Sequence, residues 1–179
     1  PALAPHLRMG SPGLRPALAA VPKRHASIRD YRGHAIAIDT SSWMHKAVYS
    51  VADAYVEADE AGRVEAATVR VATRYMLARC QELLANAGVS RIYLVLDGAH
   101  RVPLQGVTHE DRQRRRADSL RQARQAQNLQ ADYDKYKSCI HISTPFSVAV
   151  MNQIRRDPLC SRKGKIIIVQ SPHEADAQL

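Results

Sequence analysis

Four carboxylates in this 179-residue chain fall where short apolar runs end. Asp39 closes Ala-Ile-Ala-Ile, Asp97 closes Ile-Tyr-Leu-Val-Leu, and Glu174 and Asp176 follow Ile-Ile-Ile-Val-Gln-Ser-Pro. Runs of this kind read as buried parallel strands, and open α/β sheets bind ligands at the carboxyl ends of their strands. Carboxylates delivered there from three strands repel one another unless a cation lies between them. Their hard oxygens, with no His or Cys companions, suit Mg²⁺ or Mn²⁺ rather than Zn²⁺. Glu174 and Asp176 are two apart, which on a regular helix sends them to opposite sides. At a strand-to-helix corner both can turn toward one site, and a helix amino end favours negative charge. Taken singly, each acid is equally an N-cap or a loop residue. Together at three strand ends they predict a divalent-metal centre.

The elements that must position these acids can be read along the chain. Residues 1 to about 33 are rich in Pro, Gly and basic side chains and read as an irregular lead-in, with one short helix near Leu14–Ala20. The first strand is His34–Asp39. Thr40, Ser41 or Ser42 is the expected cap of a helix over about Trp43–Val56, and Asp59 to Gly62 is a turn. A long helix from about Val64 to Ala87 places Val69, Ala72, Met76, Cys80, Leu83 and Leu84 on one face, and Gly88 ends it. Arg91–Asp97 is the second strand, and Gly98 to Thr108 a loop. Helix is then expected from Glu110 to about Tyr136. Ser143 caps a helix that carries Pro145 in its first turn and runs to Arg156. Asp157-Pro158 breaks that helix, Arg162 to Lys165 is a basic turn, and Ile166–Gln170 is the third strand. Pro172 marks the corner into a helix that begins at the acidic pair. Strands alternating with helices predict an α/β fold with a doubly wound parallel sheet.

The segment from Arg112 to Arg124 holds six arginines against one acid, and its apolar residues are sparse. A helix so polar is expected to project into solvent or along a ligand, and it has too few acids nearby for a salt-laced surface helix. The whole chain carries a net charge of +9, which favours a polyanionic partner. A Mg²⁺ cluster beside an arginine-rich helix is what phosphodiester hydrolysis requires: the metal lowers the pKa of the attacking water and steadies the leaving oxygen, and arginines hold the non-bridging oxygens. Cys80, Cys139 and Cys160 are widely spaced and include no Cys-x-x-Cys pair, so neither a disulfide framework nor a zinc module is indicated. No apolar run reaches transmembrane length, and the first eight residues lack a signal peptide's apolar centre. An intracellular, reducing compartment and no membrane partner are expected.

Ile-Ala-Ile-Asp39-Thr-Ser-Ser-Trp43-Met-His45-Lys46, Leu-Val-Leu-Asp97-Gly98 and Pro172-His173-Glu174-Ala175-Asp176-Ala-Gln-Leu together resemble the flap endonuclease/XPG superfamily of structure-specific 5′ nucleases. The likeness is greatest to the exonuclease 1 branch, which uses the forms Asp-Thr-x-x-Trp-x-His-Lys and Glu-Ala-Asp-Ala-Gln-Leu. Met9-Gly10-x-x-Gly13-Leu14-x-Pro16 is similar to the family's start, and Tyr31-x-Gly33 to its approach to the first strand. The resemblance runs from Met9 to Leu179, leaving residues 1–8 as an extension.

It implies a PIN-like 5′ nuclease core, with residues 109–136 as a helical arch and Asp39, Asp97, Glu174 and Asp176 as ligands of a two-metal phosphodiesterase. It sets Arg112 at the family's position for a basic side chain reaching the scissile phosphate. Arg115 and Arg116 match further basic positions, which grip a single-stranded 5′ end. His45 matches the residue that packs against the terminal nucleotide, Lys46 is set to meet phosphate, and Gly10 lies close to DNA. Trp43 is expected in the core, and no role is assigned to His100, His109 or His141. The expected partner is DNA with 5′ ends, flaps or nicks, and the expected compartment the nucleus.

Three departures from the family pattern stand out. Gln105 occupies the usual lysine position after Asp-Gly, with Arg101 a candidate to compensate. Eight residues precede Met9 and would crowd the DNA beside Gly10. The chain stops at Leu179, where family members continue with a strand bearing further aspartates and a helix-hairpin-helix segment that grips duplex DNA. The expectation is therefore a truncated core: a Mg²⁺-dependent 5′→3′ exonuclease or flap endonuclease of DNA repair or replication, present as a fragment with little activity alone. The alternative is a truncated, non-catalytic DNA-binding module that keeps the fold. A PIN-like RNA nuclease is a weaker third, since those lack the long arginine-rich helix.

Overall fold

The computed structural model describes residues 27–98, 106–125 and 129–172, with backbone alone at 106–112 and 129–133. Three strands, β1 (Ala35–Asp39), β2 (Arg91–Leu96) and β3 (Ile166–Gln170), make one parallel sheet in the order β1-β2-β3. Their bounds match the expected strands to within one residue at each end. The order runs in one direction, so the reversal that a doubly wound sheet needs is not among the described residues.

Register explains the core. Ile36, Ile92 and Ile166 lie side by side, as do Ile38, Leu94 and Ile168, and this face carries the buried cluster with Met44, Val48, Met76, Cys80, Phe146, Val150 and Ile154. Ala35 and Ala37 on the alternate face of β1 are exposed. β1 thus behaves as an alternating strand, whereas on the same alternate face Val95 of β2 is buried and Ile167 and Val169 of β3 are half-buried.

Between β1 and β2 the chain forms α1 (Thr40–Ala47), a 3₁₀ turn (Tyr49–Val51), α2 (Ala52–Glu60) and α3 (Ala66–Glu82). The single helix expected over Trp43–Val56 is therefore broken. Val48 and Ala52 on either side of the break are fully buried, and α2 carries Tyr55 edge-on to Phe146 at 4.7 Å. The Tyr55 hydroxyl donates to the His141 carbonyl at 2.6 Å and accepts from the Ser143 amide at 3.3 Å. On α3, Val69, Ala72, Met76 and Cys80 form the anticipated buried stripe. A π turn, Leu83–Ala87, follows, and Gly88 closes it in the left-handed conformation at φ +69°, which disfavours any residue with a Cβ.

The continuous helix expected from Glu110 to Tyr136 is a hairpin of two helices, α4 (Gly106–Gln125) and α5 (Leu129–Cys139), packed on each other, with α5 against α2. The few apolar residues of α4 are concentrated late: Leu120 and Ala123, three apart, are buried while Gln113, Arg114 and Arg115 are exposed. Arg124 is tied to Glu57 on α2 by two hydrogen bonds of 3.0 and 3.2 Å, and Tyr136 donates to the same carboxylate at 3.1 Å. The described residues display a docked hairpin; its projection as an arch is not evident from them. Asp157 caps α7 (Pro158–Ser161) after α6 (Thr144–Arg156), its carboxylate accepting from the Leu159 amide at 2.9 Å. The expected helices at Leu14–Ala20 and after Pro172 lie outside the described residues. Among those described, no helix is long and apolar enough to cross a membrane.

Candidate metal centre and nucleic-acid interface

Asp39 ends β1 and Asp97 follows β2 directly, so parallel pairing brings both to one edge of the sheet. Asp39, not one of the three hydroxyl residues after it, is the N-cap of α1: its carboxylate accepts from the Ser41 amide at 2.8 Å. The hydroxyls are used elsewhere. Thr40, fully buried, donates to the Val95 carbonyl at 2.8 Å and ties the start of α1 to β2. Ser41 donates from its hydroxyl to Asp97 Oδ2 at 2.7 Å. One serine therefore holds both carboxylates, Asp39 by its backbone and Asp97 by its side chain.

The end of β3 closes on the same corner. The Gln170 side-chain amide donates to the Asp97 carbonyl at 2.6 Å, and the Ser171 amide donates to the Leu96 carbonyl at 3.0 Å. Gly98 lies against this segment so closely that a Cβ there would sit 2.5 Å from the Pro172 backbone and collide with the Ser171 carbonyl. Only glycine permits the approach. Pro172 is thus held beside the residue that follows Asp97.

Glu174 and Asp176 lie outside the described residues, as do Gly10, Arg101 and Gln105; Arg112 is described by its helical backbone alone. Among the described residues no group of three or more acidic, His or Cys side chains forms a metal site. Two of the four expected ligands are present, and they fit a hard divalent cation. Both are carboxylates at adjacent strand ends, bonded to one serine, Asp39 through its amide and Asp97 through its hydroxyl. A carboxylate offers about four lone pairs, so a bond from Ser41 and a bond to a cation are compatible.

The basic groups divide into two sets. Arg121 pairs with Asp118 and Arg124 with Glu57, so these two guanidiniums are engaged within the fold. Arg115 is exposed on the first half of α4, and Lys46 on the last turn of α1. Arg116 is half-buried and lines, with Tyr55, Asp59, Glu60, Cys139 and His141, a cavity of about 450 Å³ between α2 and the hairpin. His45, on α1, feels two of these groups, Arg116 and His141. Burial first, then the Arg116 charge and His141, push its pKa down to about 4, so its imidazole is neutral at physiological pH. His141, given no role from sequence, is thereby joined to His45 and Arg116. Trp43 is half-buried against the core, with the Arg79 guanidinium 5.8 Å above its ring, in keeping with its expected place.

Ser41 and Gln170 went unrecognised as site residues in the sequence. The one available signal was the run of hydroxyl residues after a strand-end aspartate, which reads locally as capping. Their partners, 56 and 73 residues away, appear only once the strands pair.

The XPG N-terminal domain family model matches residues 9–119. The chain is 27% identical over 175 residues to exonuclease 1 of Oryza sativa subsp. japonica, covering 96% of this chain and 18% of that protein. It is 26% identical over 152 residues to exonuclease 1 of Danio rerio, covering 85% and 17%. To exonuclease 1 of Drosophila melanogaster it is 25% identical over 174 residues, covering 96% and 21%. The chain thus spans about a fifth of the length of these relatives. With two strand-end aspartates linked through Ser41 and a family match over most of its length, the chain belongs to the XPG N-terminal domain family.

Proposed function

We propose that this chain supplies part of the catalytic centre of a Mg²⁺-dependent 5′ nuclease, a 5′→3′ exonuclease or flap endonuclease that hydrolyses phosphodiester bonds of DNA in repair or replication. The observation that carries this reading is the pair Asp39 and Asp97, at adjacent strand ends and gathered by Ser41. Similarity to exonuclease 1 in three organisms supports the choice of DNA and of 5′ ends, flaps or nicks as substrate. The nucleus is proposed as the compartment on the same ground.

In this reading Asp39 and Asp97, with Glu174 and Asp176, hold the metal ions, two in the complete enzyme, with Mn²⁺ able to replace Mg²⁺. A bound divalent ion supplies Lewis acidity and a water of lowered pKa. Arg112 reaches the scissile phosphate, and Arg115, Arg116 and Lys46 hold neighbouring phosphates, so binding is electrostatic and largely blind to sequence. His45, uncharged, packs its ring against the terminal nucleotide, and Gly10 lets the backbone approach the DNA.

The exposed basic residues of α4 also suit the second reading, a non-catalytic DNA-binding module. Asp97→Asn separates the two. Electron paramagnetic resonance of Mn²⁺ and anisotropy of a fluorescent 5′-tailed duplex should show lost metal binding with retained DNA binding. If the wild-type chain binds Mn²⁺ no better than Asp97→Asn, the nuclease reading is abandoned for the binding module.

A further inference from the structure

We propose that Ser41 is a positioning residue, which holds the Asp97 carboxylate against Asp39 so that the pair meets a divalent cation already assembled. This rests on the metal-site reading above and goes beyond it, since Ser41 is outside the expected ligand set.

The geometry is specific. Ser41 is the second residue of α1, and its amide is fixed by the Asp39 carboxylate at 2.8 Å. The preceding residue, Thr40, locks that turn of helix to the β2 backbone through a fully buried hydroxyl bond to Val95. Ser41 therefore stands on a backbone anchored to both strands, and its hydroxyl donates to Asp97 Oδ2 at 2.7 Å. Asp97 itself is exposed, at a corner beyond the end of its strand. Gln170 fixes its main-chain carbonyl but not its carboxylate. The Ser41 hydroxyl, by contrast, bonds the carboxylate itself and bears on its direction.

Two effects follow. The bond from the hydroxyl takes one lone pair of the Asp97 carboxylate and leaves the others, of about four, for a cation. It also removes rotamers of Asp97 that face away from Asp39, so less freedom is lost when the cation binds. Partners of this kind are commonly worth about tenfold or more in metal affinity.

The test uses the 179-residue chain as wild type, Ser41→Ala, Ser41→Thr and Asp97→Asn. Mn²⁺ affinity is measured by electron paramagnetic resonance of the free ion, and Tm is measured without metal. The expected result is about tenfold weaker Mn²⁺ binding for Ser41→Ala, near-wild-type binding for Ser41→Thr, and the same metal-free Tm in all three. Ser41→Ala binding as tightly as wild type overturns the proposal while leaving the metal site intact. A loss matched by a fall in metal-free Tm and not rescued by Ser41→Thr makes Ser41 a folding residue, and also overturns it. Wild type binding no tighter than Asp97→Asn defeats the metal-site reading first, and this inference with it.

Discussion

Gln170, the last residue of β3, donates its side-chain amide to the main-chain carbonyl of Asp97 at 2.6 Å. This bond joins the corner after the second strand to the corner after the third. The contact of Gly98 with Ser171 and Pro172 lies directly beside it. The chain leading to Glu174 and Asp176 therefore sets out from a point fixed against Asp97, before any ligand is considered.

Gly98→Ala should disrupt this junction. The added methyl meets backbone, not a flexible side chain, and one corner must move. A loss of about 1–3 kcal/mol is expected in urea unfolding, together with weaker Mn²⁺ binding. Unchanged stability and unchanged metal affinity would show that the two corners can separate without consequence.

Asp39 has two duties that substitution can split. As N-cap of α1 it accepts the Ser41 amide, and as a proposed ligand it brings charge. Asn caps nearly as well as Asp, whereas Ala does not. Asp39→Asn should therefore keep its chemical stability, Asp39→Ala should lose about 1 kcal/mol, and both should lose Mn²⁺. Equal stability of the two variants would argue against the capping role.

His45 should make the fold sensitive to acid. Its folded pKa of about 4 lies below the ordinary 6.5, so folding favours the neutral imidazole. That contribution is complete above pH 6.5 and is lost as pH falls from 6.5 to about 4, at up to about 1.4 kcal/mol per pH unit. His45→Gln should flatten stability over this interval, measured by urea unfolding at several pH values. An imidazole found by NMR to titrate near 6.5 would remove the basis of this expectation.

The arginines of α4 should not be equivalent toward DNA. Arg124 is engaged by Glu57 and Tyr136 sits on the same carboxylate, while Arg115 is exposed. Arg115→Ala should weaken binding of 5′-tailed DNA and reduce the slope of log K against log salt by roughly 0.7–0.9, the value of one phosphate contact. Arg124→Ala should leave the slope unaltered. The reverse ranking would move the DNA path to the other half of the helix.

The sequence by itself determined the three strands and the aspartates, Asp39 and Asp97, at the ends of the first two. Runs of four or five apolar residues bounded by polar or turn residues have few other folded states, and they deliver whatever follows them to one sheet edge. It also determined the stripe of α3, the stop at Gly88 and the break at Asp157-Pro158, each set by residues within a turn or two. Tertiary structure alone decided the rest. Thr40, Ser41 and Ser42 are all adequate caps, and only the approach of β2 drew the Thr40 and Ser41 hydroxyls across to Val95 and Asp97, leaving Asp39 to cap. Periodicity from Glu110 to Tyr136 is compatible with one helix or two. The choice of a hairpin was made by the burial of Leu120 and Ala123 and by Glu57 on α2 receiving Arg124. Local sequence carries backbone preference, but a partner more than fifty residues away is chosen by packing.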